Sequence, residues 1–198
     1  MKKIALIGDS IRMGYAPLVT ERLAGFAEVW QPDENGGTTS KILDHAEPWI
    51  ASREVDLFHI NAGLHDIAKG FVDGDLPDGL HRGRPRVNVD DYERNVAAIL
   101  AAAKATGAAV IWALTTPVNE QWHHATKGFD RFEADVADAI AAARRAAEAA
   151  AVPINDLHAV ITAAGRDNLL TPDGVHFKPE GSSLLADTVA ARIRESLA

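Results

Sequence analysis

The chain opens with a short apolar run, Ile4-Ala-Leu-Ile7, held between two lysines and the polar turn Gly8-Asp9-Ser10. An unbroken run of this length closed by glycine predicts a strand covered on both faces, as in the middle of a parallel sheet. Similar runs follow at 55–60 and 108–114, with weaker ones at 27–31 and 152–155. The stretches between them carry helical spacing. Leu18, Leu23 and Phe26 mark a helix over 11–26 with Gly25 near its end, and Ser40 caps another to about Ser52 through Ile42, Leu43 and Ile50. Asp90 followed by Glu93 reads as a capping box for a helix to about Thr106, stopped by Gly107. Residues 129–151 read as one long alanine-rich helix, and 157–164 and 180–197 as two shorter ones.

Strands alternating with helices predict an α/β fold: a three-layer α/β/α sandwich around a mostly parallel, flavodoxin-like five-stranded sheet. No repeat or linker interrupts the pattern, so a single domain over 1–198 is expected. Ligands of such sheets bind at the C-terminal strand ends. Ser10, the Gly36-Gly37 turn, the 61–66 loop and a Trp/His loop within 115–128 all follow strands and share that rim. Residues 70–88 lack a period and are rich in Gly, Asp, Pro and Arg; a loop this long is either functional or mobile, and a lid over the substrate is one such use.

Composition narrows the function classes. An apolar fraction of 47% and a charged fraction of 24% describe an ordinary globular protein, and the absence of cysteine excludes disulfides, thiolate metal sites and cysteine nucleophiles. Asp9, Ser10 and Arg12 end the first apolar run too early for a signal peptide, and no stretch approaches the roughly 20 apolar residues a membrane span needs. A cytoplasmic location is expected, without membrane partners. A formal net charge of -8 argues against a general nucleic-acid binder, which needs a basic face to displace counterions from phosphates.

Ser10, between strand and helix, is placed either to cap the helix or to act as a nucleophile whose own N–H helps hold an oxyanion. Near the other end, Asp173-Gly-Val-His176 pairs a carboxylate with an imidazole three residues on, the orienting arrangement a catalytic base requires, although a surface turn has the same spacing. Gly8-Asp9-Ser10, Gly37-Thr38-Thr39-Ser40, Gly63-Leu-His-Asp66 and Asp173-Gly-Val-His176 follow one another in the order of the blocks of the SGNH (GDSL-type) hydrolases, which this chain resembles over almost its whole length. The resemblance implies Ser10 as nucleophile, His176 as general base and Asp173 as its orienting partner. It implies an oxyanion hole from the N–H groups of Ser10 and Gly37 and a side-chain donor of the third block. There the chain departs from the family, with His65 where an asparagine is usual. We expect His65 to keep the donor role and Asp66 to help fix its loop; the alternative is a packing histidine, with Asn61 or water filling in.

Arg12, Met13 and Tyr15 directly follow the nucleophile and are candidates to line the substrate pocket, as are Trp122 and His123 on the same rim. His123 and His124 do not make a metal site, because neighbouring side chains diverge and no spaced ligands accompany them. Arg82, Arg84 and Arg86 are either solvated charges or a greeting for an anionic group. No Gly-Lys-Ser/Thr or G-x-G-x-x-G motif is present, so no nucleotide, metal or other cofactor is expected. The resulting expectation is a serine esterase acting on a small-molecule ester, an acetyl or short-chain O-acyl group, with carbohydrate esters among the candidates. An acyltransferase on the same scaffold and a non-catalytic carbohydrate- or ester-binding domain are its competitors.

Overall fold

A computed structural model describes residues 1–71 and 80–198. The central sheet is five-stranded with the order β2-β1-β3-β5-β7, every pairing parallel: β1 Lys2–Ile7, β2 Ala27–Trp30, β3 Leu57–Asn61, β5 Ala109–Ala113 and β7 Ile154–Asn155. The expected three-layer α/β fold is thus present. All of β3 and the last four residues of β1 are buried, which is why these runs lack alternation.

Helix α1 (Ser10–Arg22) packs with α8 (Pro179–Leu197) on one face, while α3 (Val89–Ala105) packs with α5 (Glu133–Ala149) on the other. The alanine-rich composition of α5 serves that contact. Ala139, Ala142, Ala143, Ala146 and Ala147 are buried, and short side chains let two helices approach closely. A single contiguous core joins both faces to the sheet.

Several boundaries depart from the expectations. The helix expected over 40–52 is α2 (Thr39–Asp44) followed by a π-turn over Glu47–Ala51, because Pro48 has no N–H to continue the ladder. Asn88, not Asp90, caps α3, its side chain accepting from Asp91 N at 2.9 Å. The Trp/His loop is largely a helix, α4 (Glu120–Thr126), started by the Asn119 side chain on Trp122 N. The long helix begins only at Glu133; Phe129–Asp130 instead form β6, antiparallel to β4 (Lys69–Gly70). Helices α6 (Leu157–Ala163) and α7 (Arg166–Leu169) lie between β7 and α8, the latter of the two unexpected. The proposed lid falls partly on residues 72–79, outside the described residues. Its return limb lies beside the third-strand loop, with Val87 N bonded to Asp66 O and Arg86 N to Ala68 O.

Candidate active site

The turn after β1 removes the capping reading of Ser10. Asp9 is the helix cap: its Oδ1 accepts from Ile11 N at 3.0 Å, and Ser10 is the first residue of α1. The hydroxyl is thereby free of capping duty, and the Ser10 N–H, like any first-turn amide, has no partner within the helix. Oγ of Ser10 lies 2.9 Å from Nε2 of His176, whose Nδ1 lies 2.6 Å from Oδ2 of Asp173. The three residues that the sequence places at opposite ends of the chain form one relay.

Asp173 is held as an anion. Burial alone would raise its pKa, but hydrogen bonds from His176 Nδ1, the His176 and Val175 amides and the Thr171 hydroxyl hold it well below the usual carboxylate range. An ionised Asp173 makes Nδ1 the protonated nitrogen of His176, so Nε2 presents its lone pair to the Ser10 hydroxyl. Gly174 permits the turn: its φ is +72°, and a Cβ there would lie 2.4 Å from Asn119 O.

The second block abuts the first at backbone contact. Gly36 N donates to Gly8 O at 2.9 Å, and a Cβ on Gly36 would lie 2.6 Å from that oxygen. Gly37 follows, its N–H donating to Asn35 Oδ1 at 2.8 Å, so this amide reaches an oxyanion only when the Asn35 side chain rotates away. Asp66 ties the third block to the second: Oδ1 accepts from Thr39 N at 2.9 Å and from Thr39 Oγ1 at 2.5 Å. Burial pushes its pKa up to about 7.

His65 is half-buried, and burial, aided by the cations of Arg131 and Arg86 against the pull of Asp9, lowers its pKa to about 4. It is therefore neutral at pH 7 and carries a single N–H. Asn61 is committed elsewhere, its Nδ2 donating to Asp9 Oδ1 at 3.2 Å and its Oδ1 accepting from Tyr15 Oη at 3.1 Å.

Three of the pocket expectations are overturned. Arg12 is buried, its guanidinium spent on Gln31 Oε1 and the carbonyls of Pro32, Glu34 and Gly8, because two residues into a helix the side chain has already turned from the rim. Tyr15 is buried against Asn61. His123 lies behind the relay: fully buried, it donates from Nδ1 to Asp173 O at 3.1 Å, and its pKa is lowered to about 4 by burial and then by Arg131. Met13 and Trp122, by contrast, are exposed, and Trp122 stands against Gly174 in the relay turn. His124 turns away to Asp130, as divergence at adjacent positions requires. Arg82 and Arg84 are exposed and Arg86 half-buried.

The family model for GDSL-like lipase/acylhydrolases matches residues 4–189. The chain belongs to that family. This acylhydrolase, a serine hydrolase, is similar in fold to a lipase/acylhydrolase from Enterococcus faecalis, with 21% identity and a TM-score of 0.80 over 99% of this chain and 97% of that one. It is also similar to an acetylxylan esterase from Geobacillus stearothermophilus, at 20% identity and a TM-score of 0.75 over 97% and 94% of the two chains. A second acetyl xylan esterase, AlAXEase, matches at 19% identity and a TM-score of 0.74 over 96% and 99%. No curated protein matches. No helix among the described residues of the acylhydrolase is long and apolar enough to cross a membrane.

The buried histidines give the hydrolase a predicted acid sensitivity. His59, deep in β3, has its pKa lowered to about 3 by burial, and His65 and His123 stand near 4, against 6.5 for the free group. Each takes up a proton on unfolding below that value, so the stability they contribute is complete above pH 6.5 and is lost as pH falls toward 4. Asp66 acts in the opposite sense, its raised pKa favouring the native state at low pH and ceasing to do so through about 7. Three histidines outweigh one carboxyl. The urea midpoint should therefore fall steadily from about pH 6.5 to 4.5; a flat midpoint across that range would contradict the neutral assignments.

Proposed function

We propose that this acylhydrolase is an esterase that removes a small O-acyl group, acetyl or short-chain, from a carbohydrate through an acyl-enzyme intermediate. The observation that carries the reading is the Ser10–His176–Asp173 relay, at 2.9 and 2.6 Å, with its serine on the first turn of a helix. Ser10 Oγ attacks the ester carbonyl as its proton passes to Nε2 of His176. The tetrahedral oxyanion receives hydrogen bonds from Ser10 N–H, Gly37 N–H once Asn35 has turned, and neutral His65. The imidazolium, stabilised by Asp173, then protonates the departing alkoxide. Water repeats the sequence on the acyl-enzyme, releasing the acid and restoring Ser10. A carbohydrate alcohol is supported by the exposed Trp122 indole beside the relay turn, a face on which a sugar ring stacks, and by the acetylxylan esterases among the similar folds.

The test is a panel of p-nitrophenyl esters from acetate to octanoate together with acetylated xylo-oligosaccharides, run beside labelling by a serine-directed phosphonate. We expect the highest kcat/KM on acetyl esters, release of acetate from the oligosaccharides, and one phosphonate adduct at Ser10. Tight sugar binding with no adduct would replace the esterase by a binding domain. Transfer to an added alcohol that outruns hydrolysis would replace it by an acyltransferase.

A further inference from the structure

Arg131 has no part in the reading of the sequence, yet it lies behind the relay with only 6% of its surface exposed. It sits between β6 and α5, and its guanidinium makes two hydrogen bonds to opposite halves of the site. Nε donates to Leu64 O at 2.5 Å, the carbonyl preceding His65. Nη1 donates to Nε2 of His123 at 3.3 Å, and His123 Nδ1 in turn contacts Asp173 O at 3.1 Å. A guanidinium has no acceptor, so Nε2 of His123 must carry the lone pair, and Nδ1 must carry the proton given to the Asp173 carbonyl. Phe129 closes the assembly, 4.9 Å from the guanidinium carbon and edge-on to the His123 ring at 5.1 Å.

We propose that Arg131 is a positioning residue of the catalytic centre, bracing the His65 loop and the Asp173 loop against one another through one rigid fork. The proposal rests on the esterase reading for what those loops do. A buried cation is costly, and the hydrogen bonds of this one among the described residues go to a carbonyl and an imidazole rather than to a carboxylate. The compensating anions are Asp9, on the turn after β1, and Asp173, with Arg86 acting against them. The same charge helps to hold both neighbouring imidazoles neutral. His65 faces Asp9, Arg131, Arg86 and His176, and His123 faces Arg131, Asp173 and Lys127. Without Arg131 both imidazoles titrate higher, and His123 is free to take the other tautomer.

The experiment compares Arg131→Met, which keeps the length and loses charge and donors, with Arg131→Lys, whose single ammonium reaches one partner but not both. Three readouts are taken on the full chain: nitrogen-resolved imidazole NMR spectra of His123, the pH dependence of kcat, and the rate of phosphonate labelling of Ser10. For Arg131→Met we expect His123 to leave the pure Nδ1–H form and the acid limb of kcat to move to higher pH. Its kcat should fall roughly ten- to a hundredfold with KM changed by less than about twofold, since a displacement near 1 Å is costly to chemistry but not to binding. Arg131→Lys should recover part of kcat and the wild-type acid limb. The proposal is overturned if His123 keeps its tautomer and the acid limb stays in place in Arg131→Met, even if melting temperature or overall activity falls. Absence of Ser10 labelling in the wild type would defeat the esterase reading instead, while the His123 spectra still decide whether Arg131 sets that ring.

Discussion

Asp173→Asn should lower kcat by about four orders of magnitude while leaving the fold and KM nearly unchanged. The size of the effect follows from how the carboxylate is held. Its Oδ1 accepts three hydrogen bonds, from Thr171 Oγ1 at 2.8 Å and from the Val175 and His176 amides at 3.0 Å each, while Oδ2 alone faces the imidazole. An asparagine keeps those three donors only by placing its carbonyl oxygen at the Oδ1 position. Its NH₂ then faces Nδ1 of His176, and two donors cannot share that bond. The imidazole must move its proton to Nε2, where it points at Ser10 Oγ and can no longer accept the serine proton. The serine thus loses its base although every heavy atom stays near its place. Steady-state kinetics with circular dichroism as a check on folding decides it. A loss below about tenfold would mean that Asp173 orients nothing. Ser10→Ala sets the floor of the comparison, near a millionfold loss.

His65→Ala should reduce kcat by about a hundred- to a thousandfold, with KM scarcely altered, because an oxyanion donor acts on charge that exists only in the transition state. Asn61, the alternative donor, is not free to replace it. Asn61 spends its side chain on Asp9 and Tyr15, and a Cβ added at Gly8 would lie 2.1 Å from its Oδ1, so that amide is wedged in place. Because burial and two arginines keep His65 neutral, the donated bond is an ordinary one rather than one carrying a formal charge. His65→Asn, whose amide also offers a neutral N–H donor, should therefore recover most of the lost rate. Full turnover by His65→Ala in the p-nitrophenyl acetate assay would remove His65 from the oxyanion hole and leave the rate to the two backbone donors.

The central strands were legible because burial on both faces writes an unbroken apolar run; Ser10, Asp173 and His176, each open to a plainer reading alone, stood out only because four short blocks follow one another in the family's order. What escaped depended on contacts distant in sequence or on competition between neighbours. Asp9 and Ser10 are both good caps, and only the backbone decides that Asp9 takes the task. Arg12 stands two residues from the nucleophile in sequence, yet its side chain lies under the β2 loop, whose carbonyls absorb it. Arg131 carries no local signal, since one partner, Leu64, is 67 residues away and the charge lies in a stretch that reads as helix. A helix-start sign was also missed: Asn119 followed by Glu120 opens α4, hidden by the aromatic and histidine side chains after it.

The contact of Gly36 with Gly8 bears on how such an enzyme is redesigned. Two main chains meet there with no side chain between them, so the spacing of the Ser10 and Gly37 turns is set by backbone and cannot be adjusted one methylene at a time. A library built on Gly8 and Gly36 would return mostly inactive protein. Met13 and Trp122, which the sequence offers as pocket residues, are both exposed and neither is engaged in the relay. Selection for a bulkier acyl group or another alcohol should accumulate its changes at those two places.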